Sequence, residues 1–485
     1  MPELRLWGIR RSITSAVVAA LLLVGALIAA ALWYAEWPGL ERGATVTAAT
    51  LFDLLKLVFA VVAGIGGVAA LVVAYRRQRV AEHTNALAEF AHQLAHAADL
   101  RAEVTKALAE AADERAKIET DRNGVRLFNE RFAKASEQLG SEKAAVRLAG
   151  VYAMAGLADD WREGRQTCID VLCAYLRMPY TPSSRASNEA PVQADDRVST
   201  ANRDEGRAAR EEREVRHTVI RLIGKHVRAA EDVATSWSDY DFDFSGAVLD
   251  GGNFSGATFG GTLSFINATF TGGSVSFAGT TFGGGEVSFD GASFSGGEVS
   301  FAKATFNGGI ASFLRAAFGG ATVSFVGASF SGGSVSFDEA SFSGGEVSFA
   351  KATFNGGSVS FLRAAFGGAT VSFVGASFSS GSVSFHGAKF SGGEVSFARA
   401  AFEGAEVDFT NASFSGGEVF FTTATFSDGV VSFVAATFGG GEVVFYGARF
   451  SGSQVYLVGP KSQFPPKFSE WPHGRPPDGL LLPEQ

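Results

Sequence analysis

The sequence predicts a multi-domain chain ending in a β-helix, and three observations carry that prediction. A unit reading F-x-x-A-x-F-x-G-G-x-V-S recurs every twelve residues from Phe265 to Phe450; an uncharged apolar stretch covers residues 13–34; and a segment rich in Ala, Glu, Lys and Arg lies between the two. Self-similarity at a fixed period is the signature of a solenoid, in which each unit buries its apolar face only against its neighbours. Such a molecule carries its function on a repeating surface, which argues against an enzyme with a single pocket.

Residues 1–12 are read as a cytoplasmic N-terminus and residues 13–75 as a two-span transmembrane α-hairpin. The stretch 13–34 is long enough for a hydrocarbon core, which takes about 20 apolar residues, and a second apolar run follows from Leu57 to Tyr75. A cleaved signal peptide is the competing reading of the first run, but its apolar part exceeds the usual ~7–15 residues and a second span follows. Arg5, Arg10 and Arg11 precede the first span and Arg76, Arg77 and Arg79 follow the second, while the loop holds only Arg42 among basic residues. The positive-inside rule then places both termini in the cytoplasm of a multi-pass cell-membrane protein. Trp33, Tyr34 and Trp37 fall where an interfacial aromatic belt lies, and Asp53 and Lys56 near the outer boundary. Ala60, Gly64 and Gly67 suit close packing within the hairpin, and no polar group at mid-membrane suggests a transport path.

Residues 76–122 read as a juxtamembrane helix or coiled coil, with apolar residues at heptad spacing: Val80, Leu87, Phe90, Leu94, Ala97, Val104, Leu108, Ala111 and Ile118. A homodimer through this seam is one expectation, although Arg101 and Arg115 interrupt it; a helix folded back on the next domain is the other. Residues 123–182 read as a helical module in which Val146, Gly150, Ala153 and Leu157, then Val171, Leu172 and Leu176, form a packed helical pair. Residues 183–213, polar and charged, read as a flexible linker. Residues 214–238 contain an amphipathic helix, 215–234, leading into Trp237 and suited to cap an open coil.

Residues 239–457 form the solenoid. In A-x-F and V-S-F the alternation is that of a strand, with Ala, Phe, Val and Phe inward and Ser or Thr outward. Ala stands two places before one Phe phase, Thr280 excepted, and Val before the other, Ala311 excepted. Gly-Gly supplies the corner, and two glycines per unit, at about 1 kcal/mol each against Ala, exclude a helix. Two units make a coil of 24 residues, which gives the stacked Phe side chains more room than a coil of twelve. Gly296–Ser331 recurs almost unchanged as Gly344–Ser379, forty-eight residues later, which fits either coil. Residues 458–485 form a Pro-rich tail, with Phe464, Phe468 and Trp471, that fits both a cap on the last coil and a disordered end.

Ahead of the strict array, Phe244, Leu249, Phe254 and Phe259 recur at five-residue spacing in a run that includes Asp243-Phe244-Ser245-Gly246-Ala247. This resembles a pentapeptide-repeat protein, which implies a right-handed β-helix with four short faces per coil; here faces of five and seven residues alternate. The segments 130–141, 146–153 and 171–177 are similar to a module of actinobacterial membrane-anchored pentapeptide-repeat proteins, where it stands between a membrane hairpin and the repeats.

No cofactor, metal site or catalytic residue is expected. Cys168 and Cys173 read as buried thiols, and His83, His92 and His96 on one helix make an incomplete metal site. The Gly-Gly pairs lack the Lys-Ser/Thr and following helix of a phosphate cradle. Charge says more: between Asp241 and Phe450 there are 16 acidic and 7 basic side chains, an excess of nine negatives equal in size to the whole-chain charge of −9. Glu286, Glu298, Glu346, Glu394, Glu406, Glu418 and Glu442 share one repeat phase, and in a 24-residue coil Glu394, Glu418 and Glu442 stack about 4.8 Å apart. That row reads either as a solvated stripe or as a protein-docking stripe.

The function expected is therefore that of a non-enzymatic membrane-tethered scaffold presenting an acidic cytoplasmic β-solenoid to an unknown protein partner. The alternative implied by the resemblance is a DNA mimic that binds DNA gyrase, a topoisomerase. The charge excess over roughly 40 Å falls well short of duplex DNA, at about two charges per 3.4 Å. No nucleic-acid partner is expected, because the basic residues outside the array are scattered.

Overall fold

The computed structural model describes residues 9–34, 47–182, 196–457 apart from 308, 332, 356 and 380, and, in the tail, 465–471, 475–476 and 479–482. Trp37, Arg42, residues 183–195 of the expected linker and Phe464 lie outside them. The chain divides into two compact units, Met1–Asp121 and Arg122–Gln485.

In the first unit α1 spans Ile9–Tyr34, and α2, Ala48–Leu139, begins here and continues into the second unit. Both carry stretches long and apolar enough to cross a membrane, with mean hydropathies of 2.6 and 2.7. The expected boundaries at residues 76 and 123 do not interrupt the helix. The change at Arg76 is one of side-chain chemistry only: Ala, Leu, Glu, Lys and Arg are all strong helix formers and no proline intervenes.

In the second unit the expected helical pair is present as α3, Ala144–Asp160, and α4, Arg165–Arg177. The linker reading needs correction, since α5 spans Asp196–Val227 and takes in residues 196–213, while ending seven residues before Ala234. Low hydrophobicity is not low helix propensity. The run from Arg207 to Arg216 consists largely of Ala, Glu and Arg, with i,i+4 pairs Arg207–Glu211 and Glu212–Arg216, each at 3.9 Å. Glu212 also accepts from the Tyr175 hydroxyl at 2.9 Å and pairs with Arg147 at 3.2 Å, which ties this part of the helix to its neighbours.

Two buried arginines satisfy helix C-terminal carbonyls that would otherwise lack donors. Arg165 donates to Ala158 O at 2.7 Å and to Ser236 O at 3.1 Å; Arg216 donates to Leu176 O and Tyr175 O and lies over the Tyr180 ring, 4.5 Å from its centroid. Trp237, fully buried, stacks on His226 at 4.1 Å and donates its indole N–H to Asp159 at 3.1 Å. One hydrophobic core runs from Ala135 to Leu480, so the helical module closes the open first coil as the 214–238 reading expected.

Among the described residues every strand pairing is parallel, in one sheet of 18 strands and one of 15. Each coil contributes four short strands, two to each sheet, as with Thr269–Phe270, Ser274–Ser276, Thr281–Gly283 and Val287–Ser288. The coil has 24 residues: Phe294 pairs with Phe318 and Phe306 with Phe330. The opening coil is shorter, with Phe242 opposite Leu263 and Thr258 opposite Thr281, as its five-residue faces require. About nine turns result.

Each coil places four Phe side chains in stacks. Phe289–Phe313 and Phe294–Phe318 lie 4.8 Å apart with planes within 2°, while Phe289 meets Phe301 edge-on at 5.4 Å and 88°. Offset stacking along the axis combined with edge-to-face contact across it are the two favoured aromatic geometries.

The corners use two devices, of which the sequence reading anticipated one. Some Gly-Gly steps do adopt positive φ, but Gly333 and Gly357 are needed for close approach: a Cβ on Gly357 would lie 1.7 Å from the Gly333 carbonyl oxygen of the coil before it. The second device is the F-x-x-A turn, where Ala N–H bonds back to Phe C=O, as from Ala292 to Phe289 at 3.0 Å. Its third residue is left-handed even when it is not glycine, with φ +57° at Lys303 and Arg315 and +56° at Thr423.

The described residues of the tail cap the last coil. Lys467–Phe468 pairs with Val444–Phe445 and Leu480–Leu481 with Val455–Tyr456; Phe468 extends a ring stack, 5.0 Å from Phe445, and carries Trp471 at 5.1 Å.

Candidate interaction surface

The V-S-F strand points Val inward and leaves the residue before it on the outer surface of the coil. Through successive registers this builds one row on the 15-stranded sheet: Glu298, Thr322, Glu346, Thr370, Glu394, Glu418 and Glu442. The expected stack of Glu394, Glu418 and Glu442 on consecutive coils is therefore present, at the strand spacing of about 4.8 Å. Glu286 and Glu406, which share the repeat phase, belong to the other sheet.

The three members are not equivalent. Glu394 and Glu418 are exposed, whereas Glu442 is half-buried and paired with Lys467 of the tail at 2.9 Å. A hydrogen bond to Glu442 raises the Lys467 pKa, and the charge of Glu418 adds to the effect. The stripe thus ends against a cation that the repeat pattern did not supply. A signal existed: Phe468 follows Phe445 by 23 residues, almost one coil, which places Lys467 beside Val444 and within reach of Glu442. Elsewhere on the solenoid Arg315 pairs with Glu339 of the next coil at 2.8 Å, and the pair raises the arginine and lowers the glutamate.

A second concave feature lies where α5 meets the opening coil, a cavity of about 490 Å³ lined by Arg213, His217, Arg221, Arg228, Asp250 and Asn253 among others. Asp250, nearly buried, receives His217 Nε2, the Tyr180 hydroxyl and Arg213 Nε, each at 2.9 Å. Burial pushes its carboxyl up, but these three partners outweigh burial and hold it down at about 2. Arg221 is paired with Glu214 at 3.7 Å, and Arg228 donates to the Asn253 carbonyl at 3.0 Å. These contacts fasten α5 to the solenoid.

Cys168 and Cys173 are free, buried thiols that burial pushes up to about 11 and about 12, which leaves little thiolate for chemistry at neutral pH. Among the described residues no group of three His, Cys, Asp or Glu side chains could hold a metal ion, His83, His92 and His96 included.

Residues 244–292 match a family described as pentapeptide repeats, in nine copies. No curated protein and no solved structure matches the chain. The match covers the opening coils, where the five-residue spacing is strict, and the fold continues that β-solenoid through wider 24-residue coils. Such solenoids serve as interaction scaffolds, and nothing in this surface points to catalysis.

Proposed function

We propose that the protein is a non-enzymatic, membrane-tethered scaffold whose solenoid docks a protein partner along Glu394, Glu418 and Glu442. The observation that carries this reading is the in-register stack itself. Like charges on neighbouring strands cost stability, and two of the three are exposed with no cation against them among the described residues. A row of carboxylates at about 4.8 Å spacing suits a partner with a row of Lys or Arg on a strand or helix. The tether rests on the apolar stretches of α1 and α2, with both termini cytoplasmic by the distribution of arginines.

The test is a crosslinking pull-down from host membranes with the full-length protein beside a Glu394→Gln, Glu418→Gln, Glu442→Gln variant. A partner with a basic docking segment, enriched by the native protein and lost from the variant, supports the stripe as the contact. Identical profiles assign the stripe to solvation. Extraction of the protein from membranes by alkaline carbonate would remove the tether from the proposal.

A further inference from the structure

The 15-stranded sheet's stripe is one unpartnered surface; the other is on α2. From Val80 to Glu119 every residue except Ala97 is exposed, so the helix holds Leu87, Phe90, Leu94, Val104 and Leu108 at exposures of 57–68%. These residues form a single seam. With Val80 at position a, the a layers are Val80, Leu87, Leu94, Arg101, Leu108 and Arg115, and the d layers His83, Phe90, Ala97, Val104, Ala111 and Ile118. We infer that this seam is covered by a second copy of the same chain, in a parallel, in-register two-stranded coiled coil.

Three features select that occupant. First, apolar residues sustained at a 3.5-residue period fit a partner helix that supercoils with them, whereas packing onto a globular surface follows a wider 3.6-residue face. Second, Arg101 and Arg115 stand at a. In a pair of helices a long side chain at a can carry its charge to the edge of the seam, while in three- or four-stranded assemblies the same position is enclosed. Each arginine follows an Ala at the preceding d position, Ala97 and Ala111, which leaves space for both guanidinium stems to splay. Third, in a parallel in-register pair the knob at a packs among the preceding d and g residues of its partner. Arg115 then lies against Glu114 of the other copy, and Arg122, one heptad on, against Asp121. Arg101 has no such acid before it, since Leu100 occupies that place. The unrelieved Arg101 layer makes the seam weaker than an unbroken one, and it also penalises any shift that would bury it against Leu87 or Leu94.

The inference is independent of the docking stripe, which lies on the solenoid. Its test uses the full-length protein in membranes with single substitutions Ala97→Cys and Ala111→Cys at d, and Asp99→Cys and Asp113→Cys on the opposite face, against the parent chain whose own thiols are buried. Under mild oxidation the d-position variants should form covalent dimers at least tenfold faster than the outer-face variants, because identical d residues meet only in a parallel, in-register pair. Leu94→Glu or Leu108→Glu added to Ala97→Cys should lower that rate tenfold or more. Equal rates at all four positions, a monomer mass for the unsubstituted protein by light scattering, or a trimer mass would each overturn the inference.

Discussion

Glu418 sits between Glu394 and Glu442 in the outward row, and its replacement by Gln turns the docking reading into a measurable stability. At a separation of about 5 Å in a water-like dielectric each like-charge pair costs about 0.8 kcal/mol, and salt near 0.15 M, with a screening length of about 8 Å, removes roughly half. Glu418 has two such neighbours; the attraction of Lys467 offsets part of the cost. Glu418→Gln should therefore stabilise the protein by about 1 kcal/mol at low ionic strength and about half that in physiological salt. Glu394→Gln relieves one pair only, because Thr370 stands on its other side, and should gain less. Glu442→Gln relieves one pair but forfeits the ion pair to Lys467, so it should gain least or lose. Urea unfolding of the full-length protein in detergent, followed by circular dichroism at low and high salt, measures all three. A destabilised Glu418→Gln variant, or a gain that does not shrink with salt, would refute the argument. A residue that the fold would prefer neutral, and that is kept charged on several coils, is the pattern expected where binding is gained at the expense of stability.

Two further outcomes follow from the corners and from the α5 junction. Gly357→Ala forces a Cβ to within 1.7 Å of the Gly333 carbonyl oxygen and should destabilise the array by about 3 kcal/mol or more, whereas Gly327→Ala, at a left-handed corner with open space and Lys303 before it in the stack, should cost only about 1 kcal/mol; comparative proteolysis and urea unfolding distinguish them. Asp250 is held at about 2, below the ordinary value of about 3.9, so its ionised form contributes to the α5 junction above pH 4 and that contribution is lost as pH falls from about 4 toward 2. Asp243, lowered by Ser245 and Arg177 against the upward push of burial, titrates in the same direction, so the comparison is with Asp250→Asn, which should start less stable at neutral pH and show a smaller acid-induced loss by tryptophan fluorescence.

The parts of this fold that could be read from the sequence are those where each residue acts through a repeated position. Phe at two phases, Ala and Val two places before, and the five-to-seven alternation dictate inward side, strand length and a 24-residue coil, because a core residue's surroundings are copies of itself one turn away. The same logic placed Glu394, Glu418 and Glu442 in one stack. It also shows why the seven glutamates of one phase divide between two sheets: a twelve-residue period in a 24-residue coil alternates sides, so Glu286 and Glu406 never join the row. What lay beyond such reading was set by contacts made once. Lys467 reaches Glu442 only because an aperiodic tail adds one more strand; Arg165 and Arg216 end helices whose last carbonyls face the core; and α5 extends back to Asp196 because its charges pair along the helix and with Tyr175 and Arg147. The left-handed corners at Lys303, Arg315 and Thr423 were hidden for a different reason. Glycine announces positive φ, but here the Phe ladders and the hydrogen bonds of adjacent coils determine the backbone so fully that Lys, Arg or Thr is held there at a cost of order 1–2 kcal/mol apiece. Corners that tolerate long charged side chains in place of glycine give a solenoid a means of varying its surface charge coil by coil while leaving its core unchanged. That freedom makes an acidic row confined to particular coils informative about what the surface meets.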